Sequence, residues 1–152
     1  MLLKDEVRML QQVPLFAEVE PTKLKLLAFT SDRVTYGADE VLFHQGDVGD
    51  SAYVILSGMA EILTDSANGP IKIAEVGENS IVGEIAILCN ATRTATVKAM
   101  TPIDALRIRK KQFLDLLTDF PEVTIAVIRV LAERLSQTNL ALTEERSKSL
   151  KE

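Results

Sequence analysis

Histidine and cysteine are nearly absent from this 152-residue chain, which holds one of each, His44 and Cys89. So few nitrogen and sulfur donors exclude a structural zinc site and a histidine-bound iron centre. A lone cysteine cannot close an internal disulfide, which suits a reducing compartment. Long apolar runs are missing as well. Nothing in the chain is long enough to span a bilayer, and Lys4, Asp5 and Glu6 fall where a secretory signal would carry its apolar core. A cytoplasmic protein without a membrane partner is the expectation. Basic residues are in deficit: 17 Lys and Arg against 22 Asp and Glu give a net charge of −5, and the basic side chains are scattered rather than striped. The attraction to phosphate backbones that drives nucleic-acid binding is therefore lacking, and no nucleic-acid partner is expected.

What is present reads as an ordinary globular chain, 47% apolar and 26% charged, long enough to bury a core without cross-links or metals. One domain over residues 1–152 is expected, with N-terminal helices over 1–31, a β-rich region over 32–109 and C-terminal helices over 110–148. Leu3, Val7 and Leu10 share one face of a short leading helix. Val13-Pro14 interrupts it, and Glu20-Pro21 opens a second helix that buries Leu24, Leu27 and Ala28 and ends near Thr30.

From Arg33 to Ile108 the pattern changes to short runs rich in Val, Ile, Tyr and Thr, separated by Gly, Asp and Asn. Eight strands are expected: 34–36, 41–44, 52–57, 60–64, 71–76, 80–82, 94–100 and 103–108. So many short strands imply a mainly β fold, an eight-stranded jelly-roll β-barrel with flanking helices, because closure removes exposed edges. Helical periodicity returns after Ile108, first over 110–118 with Phe113, Leu116 and Leu117, then from Pro121 to about Ser147. Ile128, Leu135 and Leu142 recur there at heptad spacing, with Leu131 and Thr138 on the same seam, which would let two copies of the chain pair through this helix.

The segment from Ile81 to Val97 carries the chemistry. A strand ends at Val82, Gly83 permits a close backbone approach, and Glu84-Ile85-Ala86-Ile87-Leu88 has the composition of one or two helical turns. First-turn amides of such a helix lack intrahelical acceptors and favour an anion such as phosphate. Arg93 follows at a distance that lets its guanidinium approach the same anion. Glu84 would repel that anion unless it addresses another group, and a ribose 2′-hydroxyl is a suitable one. A carboxylate, a guanidinium and a helix N-terminus together describe a nucleotide whose ribose and phosphate lie side by side, the shape of a cyclic monophosphate.

Gly83-Glu84-Ile85-Ala86, the spacing from Glu84 to Arg93, and Arg93-Thr94-Ala95-Thr96-Val97 resemble the phosphate-binding cassette of the cyclic-nucleotide-binding family. That family includes the catabolite activator protein, protein kinase regulatory subunits and nucleotide-gated channels. Upstream, Gly46-Asp47, Gly49-Asp50, Ala52 to Ile55, Ser57-Gly58 and Val76-Gly77-Glu78 resemble its turns and hairpin. The likeness covers roughly residues 13–140. Thr92, Asn79 and Val82 depart from the family's common proline, glycine and phenylalanine.

The resemblance implies a ligand, cAMP or cGMP, and no catalytic residue, metal or cofactor. It implies that Glu84 accepts from the ribose 2′-hydroxyl, that Arg93 pairs with the phosphate and that the amides of Gly83, Ile85 and Ala86 cradle it. Thr94 and Ala95 would complete the cassette, with the Thr94 hydroxyl on phosphate or base. Ile62 and Ile73 would wall the base, and Arg134, Thr138 and Asn139 would reach ligand or a partner subunit from the long helix. The implied function is a sensor or regulatory domain, not an enzyme, that acts on an unidentified protein effector through movement of its C-terminal helices. No DNA-reading module is expected after residue 140.

Three alternatives stand beside it. One is a ligand-free interaction module with the same fold, which retention of Glu84 and Arg93 disfavours. Another is a regulatory fragment of a larger protein. The third, a cupin-type enzyme, needs a histidine cluster that the chain lacks. His44 reads as a barrel or surface residue, and Cys89 as a small buried apolar one.

Overall fold

The computed structural model describes residues 3–151, and side chains over 5–136. Helix α1 (Leu3–Gln11), a 3₁₀ turn (Pro14–Phe16) and α2 (Pro21–Thr30) precede the strands. Strands β1 (Asp32–Tyr36), β2 (Val41–Phe43), β3 (Ser51–Ser57), β4 (Ala60–Ser66), β5 (Gly69–Val76) and β6 (Ile81–Val82) lead into the short helix α3 (Glu84–Leu88). Strands β7 (Thr96–Ala99) and β8 (Ile103–Arg109) then run into α4 (Lys110–Asp119) and α5 (Pro121–Lys151). Proline starts α2 as its sequence suggests. Glu20 is extended at φ −61°, ψ 142°, and Pro21 takes the first position, where its missing N–H would have no intrahelical acceptor.

The strands form two antiparallel four-stranded sheets, ordered β1-β8-β3-β6 and β2-β7-β4-β5. The chain shuttles between them, which makes the jelly roll. The expected barrel is corrected in one respect: no ladder joins the two sheets among the described residues, so the sandwich stays open. The strands offer little with which to close it, since β2 spans three residues and β6 two.

Strand β3 sits at the centre. Its sequence, Ser-Ala-Tyr-Val-Ile-Leu-Ser, is apolar on both alternating faces because both are covered. Ala52, Val54 and Leu56 join Leu15, Phe16, Leu24, Phe113 and Val123 in a cluster between this sheet and the helices. Tyr53 and Ile55 face the other sheet and pack with Leu42, Val82, Val97 and Ile103. Each large side chain so buried contributes roughly 1.5–3 kcal/mol against exposure. The β3–β4 turn needs Gly58. Its φ of 99° is left-handed, and an added Cβ would stand 2.3 Å from the Pro102 carbonyl oxygen.

Two sequence expectations change. Cys89 is exposed, because α3 has only five residues and its Ala86 and Ile87 take the buried side. The proposed α5 seam divides: Leu131 packs against the helix-side core, whereas Ile128 and Leu135 are 60% and 62% exposed on the outer face. Thr138 and Leu142 lie outside the described side chains. Among the described residues, no helix is long and apolar enough to cross a membrane.

Candidate functional site

The turn from β6 into α3 depends on Gly83. Its φ of 87° and ψ of 0° are left-handed, and an ideal Cβ would sit 2.5 Å from Arg93 Nη1, 3.2 Å from the Ser51 carbonyl oxygen and 3.3 Å from the Phe43 ring. Glycine here meets both a conformational and a spatial requirement. Immediately beyond it Glu84 opens α3 and is only 4% exposed.

Arg93 is 3% exposed. Its Nη1 donates to the Gly83 carbonyl at 2.9 Å and its Nη2 to the Ser51 carbonyl at 2.7 Å. The Phe43 ring lies against the guanidinium, with Cζ 4.1 Å from the ring centroid. Its Nε is buried with no hydrogen-bond partner among the described residues. Burial pulls the pKa of this group below its ordinary value, and Tyr53, Asp50, Asp47 and Glu84 pull it back up. An arginine starts so far above neutrality that it stays a cation. Asp50 approaches both Arg93 and Arg107 at 3.8 Å, but its exposed carboxylate is screened. A buried cation with a free N–H calls for an anion.

The loop carrying Arg93 is fixed by backbone. Arg93 N–H donates to the Asp47 carbonyl at 2.8 Å, Gly46 N–H donates to the Arg93 carbonyl at 2.9 Å, and Val48 bridges to Thr92. Strand β7 therefore begins at Thr96, two residues later than the apolar pattern suggests.

The Glu84 carboxylate accepts from Arg134 Nη1 at 3.0 Å through Oε1. This ion pair ties α5 to the start of α3. A carboxylate has several acceptor positions, so the pair does not exhaust Glu84.

These groups line one cavity of about 620 Å³, within the range of small-molecule sites. Gly83, Glu84, Ile85 and Ala86 form one wall, Arg93, Thr94 and Ala95 another, with Ile62 and Arg134 also in the lining. Ile73 does not take part. It is 60% exposed on β5, because the ladder pairs Ala74 with Ile62, then Lys72 with Leu63, leaving Ile73 as the extra residue of a bulge. Thr138 and Asn139 lie outside the described side chains.

Phe43, Gln12 and Pro14 also line the cavity. No motif marks them, since their place depends on how distant segments pack. No group of three or more His, Cys, Asp or Glu among the described residues could hold a metal ion.

Against known proteins, the family model described as "Cyclic nucleotide-binding domain" matches residues 33–120. The chain is 31% identical over 137 residues to an uncharacterized NTE family protein of Mycobacterium bovis, covering 90% of this chain and 23% of that protein. It superposes on the N-terminal domain of a transcriptional regulator from Streptomyces coelicolor A3(2) with a TM-score of 0.72 and 33% identity, covering 88% of this chain and 96% of that one. It also superposes on the catabolite activator protein of Thermus thermophilus with a TM-score of 0.78 and 27% identity, covering 86% of this chain and 62% of that one.

Proposed function

The chain belongs to the cyclic nucleotide-binding domain family, and from that premise we propose that it is a non-catalytic regulatory domain whose cavity takes cAMP or cGMP. The observation that carries this is that two buried charged side chains of opposite sign, Arg93 and Glu84, line one cavity, with the Arg93 Nε buried and unpaired among the described residues. Arg93 neutralises the cyclic phosphate, helped by the first-turn amides of Gly83, Ile85 and Ala86. Glu84 accepts from the ribose 2′-hydroxyl, Ile62 lies along the base, and the Thr94 hydroxyl meets phosphate or base. Such a site needs charge of both signs, which a ligand-free interaction module has no reason to bury.

The output is conformational. Arg134 holds α5 to Glu84 in the described state, so a sugar hydroxyl arriving at that carboxylate changes the balance of forces on the long helix. Ligand shifts the helix by binding its two positions with different affinity. The partner is a protein effector, and residues 1–152 act as one cytoplasmic regulatory unit. The net charge of −5 disfavours direct contact with nucleic acid.

A second reading makes the same domain the regulatory part of a larger protein. It is favoured by one observation: the chain spans 23% of the length of its mycobacterial relative.

Isothermal titration with cAMP and cGMP, on the native chain and on Arg93→Ala, tests the assignment. Loss of the buried cation costs about 2–5 kcal/mol of binding, or roughly thirtyfold to several thousandfold in affinity. Thermal melts of the variant check that it is folded, so that a loss of affinity is not a loss of structure. Equal affinities for native chain and variant would overturn the assignment.

A further inference from the structure

We infer that Phe43 is a positioning residue for Arg93, setting the tilt of its guanidinium so that the buried Nε–H is held away from every protein acceptor among the described residues, at the edge of the cavity. The inference rests on the assignment of that cavity to a cyclic phosphate. Two hydrogen bonds, Nη1 to the Gly83 carbonyl and Nη2 to the Ser51 carbonyl, fix where the far edge of the guanidinium lies. They leave rotation about the line joining them unopposed. The Phe43 ring supplies the missing restraint, since Cζ stands 4.1 Å from its centroid, inside the range of a cation–π contact. With the far nitrogens on carbonyls and one face against the ring, Nε is the nitrogen left without a partner.

The ring is itself held. Phe43 stacks on Tyr53 with centroids 6.0 Å apart and planes at 29°, and Tyr53 meets Tyr36 edge-on at 6.2 Å and 72°. Burial, and then a hydrogen bond with Tyr53, raise the pKa of Tyr36, so the far end of this column stays neutral. A bulge in β2 aims the ring. Val41 pairs with Lys98 and Phe43 with Val97, a slip of one residue that lets consecutive Leu42 and Phe43 both reach the inter-sheet core. The ring also covers one guanidinium face from water, and a charge with fewer waters attracts a phosphate more strongly.

The test compares native chain, Phe43→Leu and Phe43→Tyr by two measurements. Proton–nitrogen correlation spectra read the Arg93 Nε–H directly. In the native chain it is shifted upfield by the ring and exchanges slowly with water. In F43L the shift is lost and exchange quickens, and in F43Y both features return. Calorimetry with cAMP and cGMP then gives an affinity lower by about tenfold to thirtyfold in F43L and restored to within about threefold in F43Y. An unchanged Arg93 signal in F43L overturns the inference, as does a changed signal with unchanged affinity. If the native chain binds neither nucleotide, the functional assignment fails, while the Arg93 signal still decides whether Phe43 sets the guanidinium.

Discussion

Replacing Gly83 by alanine probes the geometry most sharply, because one methyl group meets two separate obstacles. The first is conformational. At φ 87° an L side chain carries a penalty of about 1–2 kcal/mol. The second is steric, since the new Cβ falls 2.5 Å from Arg93 Nη1. The end of an arginine usually swings away at little cost, but this one is held by two carbonyls and a ring, so moving it gives up a hydrogen bond from a charged group, about 1.5–3 kcal/mol. Together these predict a loss of about 2.5–5 kcal/mol, or a melting temperature lower by roughly 5–20 °C for a chain of this size. Urea denaturation and calorimetry measure it. The decisive comparison repeats Gly83→Ala in an Arg93→Ala background, where the clash with Nη1 is gone and the conformational penalty of about 1–2 kcal/mol remains, beside the tight approaches to the Ser51 carbonyl oxygen and the Phe43 ring that both backgrounds share. If alanine costs the same in both backgrounds, the methyl group and the guanidinium do not compete for space and the described packing is refuted.

Glu84→Gln should lower affinity for cAMP by about tenfold to 150-fold but leave binding of its 2′-deoxy analogue unchanged, as measured by titration calorimetry. Equal losses for both ligands would remove the ribose role. Hydrogen bonding to Lys23 holds the exposed Glu122 carboxyl below the usual carboxylate range. The stability this pair lends is therefore present above the ordinary carboxylate pKa and lost as pH falls through the lowered folded value. Carbon-detected NMR should find the depressed midpoint and its return toward normal in Lys23→Met. Pairing of two copies through Ile128, Leu135 and Leu142 predicts a dimer by sedimentation that Leu135→Glu converts to a monomer, and a monomeric native chain at high concentration ends that proposal.

The strands were legible because their physics is local. Apolar runs broken by Gly, Asp and Asn place β3 and β8 within a residue or two of their observed bounds, and Pro14 marks the end of the leading helix and Pro21 the start of α2 by constraints inside the backbone. That Gly83, Glu84 and Arg93 line one cavity was legible for a different reason: they form a rare combination at fixed spacing. Two of the misses share a cause. Ile73 and Phe43 each lie at a bulge, where the alternation that assigns side chains to faces slips by one, and no residue type in either strand announces the slip. Cys89 was misjudged from its chemistry, because exposure there depends on how soon α3 ends. Openness of the sandwich was hidden too, since strand count does not say whether the outermost strands are long enough to meet.

Strand β3 has a mechanical consequence. Tyr53 and Ile55 belong to the inter-sheet core beside the cavity, while Ala52, Val54 and Leu56, their immediate neighbours, belong to the core beneath α4 and α5. A stiff backbone with tightly filled space on either side behaves as a shared floor: when one room is rearranged, the other feels it through less than one nanometre of peptide. If the cavity takes a ligand as proposed, β3 offers a second road to the C-terminal helices, independent of any contact they make with that ligand.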